Sequence, residues 1–362
     1  MYKRQVIGGG PTGSFLAQLL AKSGYKVVVL EEDKQIGTPV QCTGIVTGTL
    51  QELVDVEPGV ILNRVTMVKL HSPNRSLPLK LNEPNLVLDR KRLDIALAEE
   101  ARKAGAIYKL NTRVLSVERG SRLYMIKTNR GDFKAKIVIG ADGPRSTTAK
   151  HLGLYRNRVL LKGKQIVVRK SNNNCVEFFL MRGYFGWLVP VNRRVVRAGV
   201  ATLNNPNKSF ELFSKVVGVA QRKPLETQGG LIPIFEYFGR RSSGNAYLVG
   251  DAGGFVKATT GGGLVQGLSS AKLCHQAITH GSSYELLWRA NLGWELLAHK
   301  AIFDTLKRLS NKQLDTLLTL LSKPDVKHLL ESQTRDKLLK WGFKLVAHQP
   351  RFIPFFIAAL LS

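Results

Sequence analysis

The chain has 362 residues, with 54 Lys and Arg against 26 Asp and Glu, a formal net charge of +28 at pH 7. That length suits a main domain with a second one, or two interleaved domains with a helical tail, and 44% hydrophobic residues with 34 glycines exclude a disordered or collagen-like chain. Three widely separated cysteines (Cys42, Cys175, Cys274) exclude a disulfide framework, a CxxC pair and an iron–sulfur ligand set, so redox chemistry has to come from a bound organic cofactor.

The first strand candidate begins at Lys3, which leaves no room ahead of it for a secretory signal; the expectation is an intracellular chain. RQVIGGGPTGSFLAQLLAKSGYKVVVLEED then reads as strand, tight turn, helix, strand. Gly8, Gly10 and Gly13 form GxGxxG, with Thr12 inside the turn, and the second strand ends at Glu31. In that frame the glycines bring a pyrophosphate to the helix N-terminus while the carboxylate accepts from ribose hydroxyls. A glycine-rich turn without a ligand is the alternative.

Further along, Cys42 stands between Pro39 and Gly44 and reads as a loop residue, although a solitary cysteine also serves as a small hydrophobe. Arg90 lies four residues from Asp94, the spacing of an ordinary helical surface pair. AKIVIGADGPRS, residues 135 to 146, is a buried strand running into Asp142, which reads equally as a turn residue. From Tyr155 to about Arg241, short runs such as KQIVVRK alternate apolar and polar residues, the pattern of a half-buried sheet. A third strand reaches Gly250 and opens GDAGGFVKATTGGGLVQG, which packs seven glycines into residues 250 to 267. Acidic residues at strand carboxyl ends, Asp142 and Asp251, stand where ligands collect in open α/β sheets, and bare main chain lets a large flat ligand touch peptide groups. A nicotinamide enzyme has no use for these two extra loops, whereas a flavin has.

From Tyr284 onward the chain is amphipathic helix. Its end, PRFIPFFIAALLS at 350 to 362, falls short of the roughly 20 residues of a spanning helix, and reads either as an interfacial anchor or as a segment docked on the core. The seven histidines show no HExxH spacing, so no metal site is expected, and no GxSxG elbow supports acyl transfer.

Taken together, the GxGxxG with Glu31, the Asp142-Gly143 element and the Gly250-Asp251 element resemble the FAD-binding set of the flavoprotein hydroxylase superfamily. Within it, IGTPVQCTGIVT (36–47), LDRKRLD (88–94) and GDAGGFVKATTGGGL (250–264) resemble the geranylgeranyl reductase family, which includes the archaeal digeranylgeranylglycerophospholipid reductases. The resemblance covers roughly residues 3 to 275. It implies an α/β fold in which a Rossmann-like FAD-binding domain (1–150 and 245–280) is interleaved with an antiparallel-sheet substrate domain (151–244) and followed by C-terminal helices (281–362).

It also implies roles. Glu31 would hold the adenosine ribose, Arg90 the FAD phosphates or ring, backbone at Val114 the adenine, and Asp251 the ribityl or pyrophosphate region, with Asp142 beside them. Gly262, Gly263 and Leu264 would open a helix facing the flavin's pyrimidine edge, and Cys42, Thr43 and Gly44 would lie beside the isoalloxazine. The family's PxxYxWxFP substrate motif corresponds to RGYFGWLVP, residues 182 to 190. Trp187 and Pro190 keep their places, Phe185 stands at the tyrosine position with Tyr184 beside it, and Arg182 and Val189 depart from the pattern. Cys42, Tyr184 and Trp187 are the expected catalytic wall, and a sheet-core aromatic patch is the alternative for the last two.

The implied reaction is saturation of carbon–carbon double bonds in a polyprenyl chain by reduced FAD, with NADPH, NADH or a ferredoxin as electron donor. The basic excess then fits an anionic membrane surface, and the expectation is a cytoplasmic, peripherally attached protein. A monooxygenase or halogenase on the same scaffold is the rival reading. A basic nucleic-acid-binding flavoprotein rests on charge alone, so no specific nucleic acid is expected.

Overall fold

The computed structural model describes residues 3–154, 158–333, 336 and 338–339, apart from the side chains of Lys3 and Tyr184. In chain order, β1 (Lys3–Ile7), α1 (Pro11–Lys22) and β2 (Val27–Leu30) make a βαβ unit. All four residues of β2 are buried, as a β-branched run covered on both faces requires, and α1 buries Phe15, Leu16 and Leu20 against it. Next come β3 (Ile45–Val46) and the long hairpin of β4 (Ile61–His71) and β5 (Ser76–Leu88). The helix α2 (Arg90–Lys103) starts where the Asp89 side chain accepts from the Arg92 N–H. It leads to β6 (Ile107–Lys109), β7 (Val114–Arg119), β8 (Tyr124–Thr128), β9 (Gly131–Gly140) and α3 (Thr147–His151).

The second half opens with β10 (Leu160–Arg169), β11 (Cys175–Met181), β12 (Tyr184–Asn192), β13 (Val195–Thr202), α4 (Pro206–Val216) and β14 (Pro224–Pro233). The short strands β15 (Ser242–Ser243) and β16 (Ala246–Leu248) return the chain to the first sheet before α5 (Leu264–His280). The tail contributes α6 (Tyr284–Trp288), α7 (Trp294–Leu306), α8 (Asn311–Leu321) and α9 (Pro324–Ser332).

The first sheet runs β15-β16-β9-β1-β2-β6, parallel from β16 to β6, with the β7–β8 hairpin attached through β9. The second runs β14-β10-β13-β12-β11-β4-β5-β3 and is antiparallel except where β4 meets β11. That parallel pairing joins residues 67–71 to 175–179. The second sheet therefore takes three strands from residues 45–88, which the expected division kept with the first sheet. The reason is physical: an 11- and 13-residue hairpin that buries Val65, Val68, Leu77 and Leu79 needs a partner edge, and β11 supplies it. α1 and α5 pack together over the first sheet, where Leu16, Leu20, Leu268 and Cys274 share one core. The terminal 350–362 stretch lies outside the described residues. No described helix is long and apolar enough to cross a membrane.

Candidate functional site

A cavity of about 840 Å³ opens where the two sheets meet, inside the roughly 300–1,000 Å³ of sites that hold cofactor-sized ligands. The carboxyl ends of β1, β2 and β9 supply one part of its wall, the second sheet another, and the entry to α5 a third.

At the first part, Gly8 sits at φ +102°, and a Cβ there would stand 2.3 Å from the Ala141 carbonyl oxygen, so only glycine lets β1 turn so close to β9. Gly10 is different: a Cβ would meet no protein atom within 4 Å and would project into the cavity. Gly13 does not line the cavity; a Cβ there would lie 2.1 Å from the Gly8 carbonyl oxygen, so its role is to let α1 close on the turn. α1 begins at Pro11 with neither a side-chain cap nor an acidic residue in its first turn, which leaves a positive helix end facing the cavity. The Thr12 hydroxyl packs toward Gly250 and Gly267, tying this turn to α5. Glu31 accepts from the Gly9 N–H at 2.6 Å and the Asp33 N–H at 2.8 Å, and its burial raises its pKa. Val114 and Thr112 line the same part of the wall.

Asp142 and Asp251 divide the work of the two acidic loops. Asp142 accepts from Ser146 Oγ at 2.6 Å and from the N–H and Oγ1 of Thr148, both at 2.9 Å, so its carboxylate is engaged in ordering the entry to α3. Asp251 lines the cavity; its carbonyl accepts from the Gly254 N–H at 2.9 Å and Arg158 Nη1 at 3.1 Å, while its carboxylate takes no hydrogen bond from the described residues. Burial pushes its carboxyl up to about 6 against the pull of Arg90 and Arg158, the state of a group lacking a donor. Beside it, α5 starts at Leu264 with Gly263 as an N-cap that has no side chain to offer, and Gly262, Gly263 and Leu264 all face the cavity. Two helix N-termini thus open on one space.

Arg90 grips Asp94 with Nε at 3.1 Å and Nη2 at 3.0 Å. The pair expected at the surface is buried instead, at 13% and 12% side-chain exposure, and Arg90 also lines the cavity. Its guanidinium is held charged despite burial by Asp94. The Cys42 sulfur accepts from the Gly44 N–H at 3.3 Å, and Arg197 pins the loop by donating to the carbonyls of Thr43 at 2.6 Å and Leu88 at 3.0 Å.

Sequence reading missed the residue that organises the second sheet's wall. Gln165 Oε1 accepts from Thr43 Oγ1 at 2.8 Å and from Trp187 Nε1 at 2.7 Å, while its amide donates to Gln228 Oε1 at 2.5 Å. Trp187 lines the cavity; Tyr184 begins β12, and its side chain is outside those described. Also missed was a polar cluster of Thr47, Lys257, Gln266 and Asp336, in which Asp336 pairs with Lys257 and accepts from Thr47 and Gln266. A polar residue on an inward strand position was a usable signal for Gln165; nothing in the local pattern marked Asp336. Among the described residues no group of His, Cys, Asp and Glu could hold a metal ion.

The residues fit an FAD. A carboxylate and a glycine turn at an uncapped helix suit a ribose and pyrophosphate, Asp251 lacks a hydroxyl partner, and the backbone of 260–264 leaves room for a flat ring. This constellation on this pair of sheets defines an FAD-binding α/β flavoprotein, and residues 2–161 match the FAD binding domain family. The chain is similar over most of its length to archaeal digeranylgeranylglycerophospholipid reductases. It is 27% identical to digeranylgeranylglycerophospholipid reductase 1 of Methanothermobacter thermautotrophicus, over 92% of this chain and 94% of that protein. The crystal structure of a geranylgeranyl bacteriochlorophyll reductase-like protein from Thermoplasma acidophilum superposes with a TM-score of 0.81 at 23% identity, covering 95% of this chain and 99% of the other. The halogenase PltM, solved with phloroglucinol and FAD, has the same fold at a TM-score of 0.66 and 15% identity, over 91% and 85% of the two chains.

Proposed function

We propose that the chain is an FAD-dependent reductase that saturates carbon–carbon double bonds in the polyprenyl chains of ether membrane lipids. The observation that carries this reading is the single cavity on which the glycine turn, the uncapped start of α5, Cys42 and Trp187 converge. FAD held here and reduced by a nicotinamide nucleotide or a ferredoxin would supply a hydride to one alkene carbon. An isolated alkene accepts hydride poorly, so the protein must deliver a proton to the other carbon. Cys42 is assigned that proton: its thiol is on the cavity wall, fixed by the Gly44 N–H and set beside Arg90. Glu31 and the start of α1 would hold the adenosine and pyrophosphate, Asp251 the ribityl or pyrophosphate region, and the N–H groups at Gly263 and Leu264 the ring's pyrimidine edge. Trp187, held by Gln165, positions the prenyl chain and keeps water out.

Peripheral attachment to an anionic bilayer belongs to the same proposal. Its support is the +28 charge together with exposed Phe238, Leu286 and Trp294, at 75%, 70% and 57%. Expression alongside prenyl-ether lipid synthesis tests the reaction: mass spectrometry is expected to find lipids heavier by pairs of hydrogens. Unchanged lipid masses from an FAD-loaded protein supplied with a working donor would sink it.

A further inference from the structure

We propose that the buried Lys257–Asp336 pair sets the reduction potential of the bound flavin, its two members pulling in opposite directions. The inference rests on FAD occupying the cavity as above. Lys257 is 6% exposed, and the side chains of the ion pair are 8% and 4% exposed, both facing the cavity. The Lys257 N–H donates to the Gly262 carbonyl at 3.1 Å, and its side chain runs along Gly262, where an added Cβ would stand 3.4 Å from Cε and 3.9 Å from Nζ. The ammonium therefore lies at the mouth of α5, whose first turn has no capping side chain and no acidic residue. Helix end and ammonium put positive charge in one place.

Asp336 answers that charge from the far end of the chain. Burial works to raise its pKa, yet Lys257, Thr47 and Gln266 hold it well below the usual carboxylate range, so the pair is ionised in the fold. Buried ion pairs contribute little net stability against a well-packed apolar substitute, which points to a task at the cavity. Oxidised flavin that takes up two electrons and one proton gains one negative charge. A cation at the α5 mouth favours that form and an anion opposes it, with little screening inside the protein. With both present the effects partly cancel, and removing either unmasks the other.

The test is the flavin midpoint potential of the FAD-loaded full chain, read from visible spectra during slow reduction by xanthine and xanthine oxidase with a reference dye. Lys257→Met is expected to weaken the preference for reduced flavin about tenfold, a fall of about 30 mV for a two-electron couple, and Asp336→Asn to strengthen it by a similar factor. Should Lys257→Met fail to fold, Lys257→Arg, expected at the wild-type potential, and Asp336→Asn carry the test. Opposite signs support the proposal, because a merely loosened cavity would shift both variants the same way. Shifts of one sign, or shifts under about 10 mV, overturn it. A wild-type chain that takes up no FAD overturns the cofactor reading and this inference with it.

Discussion

The β1–α1 turn and the wall under the second sheet serve one cavity but are assembled over very different distances in sequence. The Glu31 carboxylate reaches Gly9 across 22 positions, within one βαβ unit. Gln165 meets Thr43 across 122, and Asp336 meets Thr47 across 289. A local unit fixes its geometry with backbone shape, so single glycines carry it. A wall drawn from distant segments has its position fixed by polar cross-links, so its weak points are side chains such as Gln165.

That contrast predicts where damage falls. The largest effect is expected from Gly8→Ala, which places a Cβ within 2.3 Å of the Ala141 carbonyl at φ +102°. Stability should fall by about 3 kcal/mol or more, and the purified protein should carry no flavin. Thermal melts and visible absorbance read both, and a yellow, stable variant would break the claim that backbone shape governs this end. Gln165→Leu comes next. It strips partners from Thr43, Trp187 and Gln228 at once, so stability should drop by about 2 kcal/mol and turnover by tenfold or more, with flavin still bound. Flavin lost in proportion to activity would mean that the two ends are not separable.

The same contrast explains what could be read from sequence. GxGxxG, Glu31 and the seven-glycine stretch were legible because each is a contiguous pattern with a mechanical reason. The division into domains was less so, since the β4–β5 hairpin joins the second sheet through a parallel edge with β11 that no local pattern announces. Arg90 and Asp94 were visible as a pair, but their burial under the Cys42 loop depends on Arg197, more than a hundred residues away. Asp336 was invisible, because Lys257, Thr47 and Gln266, which give it meaning, come from other segments.

Asp251 allows a smaller and sharper test, because its carboxyl lies between the two regimes. In the fold its pKa is near 6, against 3.8 for an unburied aspartate. Between those values the folded chain keeps a proton that the unfolded chain releases, so stability falls as pH rises through that window, and the whole loss is present above about 6. Asp251→Asn is expected to make the FAD-free protein more stable at pH 7 by on the order of 2 kcal/mol, with no gain at pH 3.5 or so, while FAD affinity drops. Denaturant melts at the two pH values decide it. A variant that is less stable at pH 7 would place Asp251 in the structural class with Asp142.

The smallest effect is expected where neither kind of construction operates, on the outer surface. Phe238 meets Tyr237 edge-on and Trp294 meets it at a tilt, with ring centroids 5.4 and 5.1 Å away, and Arg289 covers the same ring at 5.3 Å. Exposed aromatic side chains beside cations are what an anionic bilayer surface binds. Phe238→Ser combined with Trp294→Ser should reduce partition onto phosphatidylglycerol-containing vesicles about tenfold, ~1.4 kcal/mol, and leave turnover of detergent-dispersed substrate unchanged. Leu212→Ser with Val216→Ser, at equally exposed positions on α4, is the control and should bind vesicles like the wild type. Equal losses in both double variants would mean that charge alone holds the protein at the membrane. A loss confined to the first would give the protein a defined face toward the membrane.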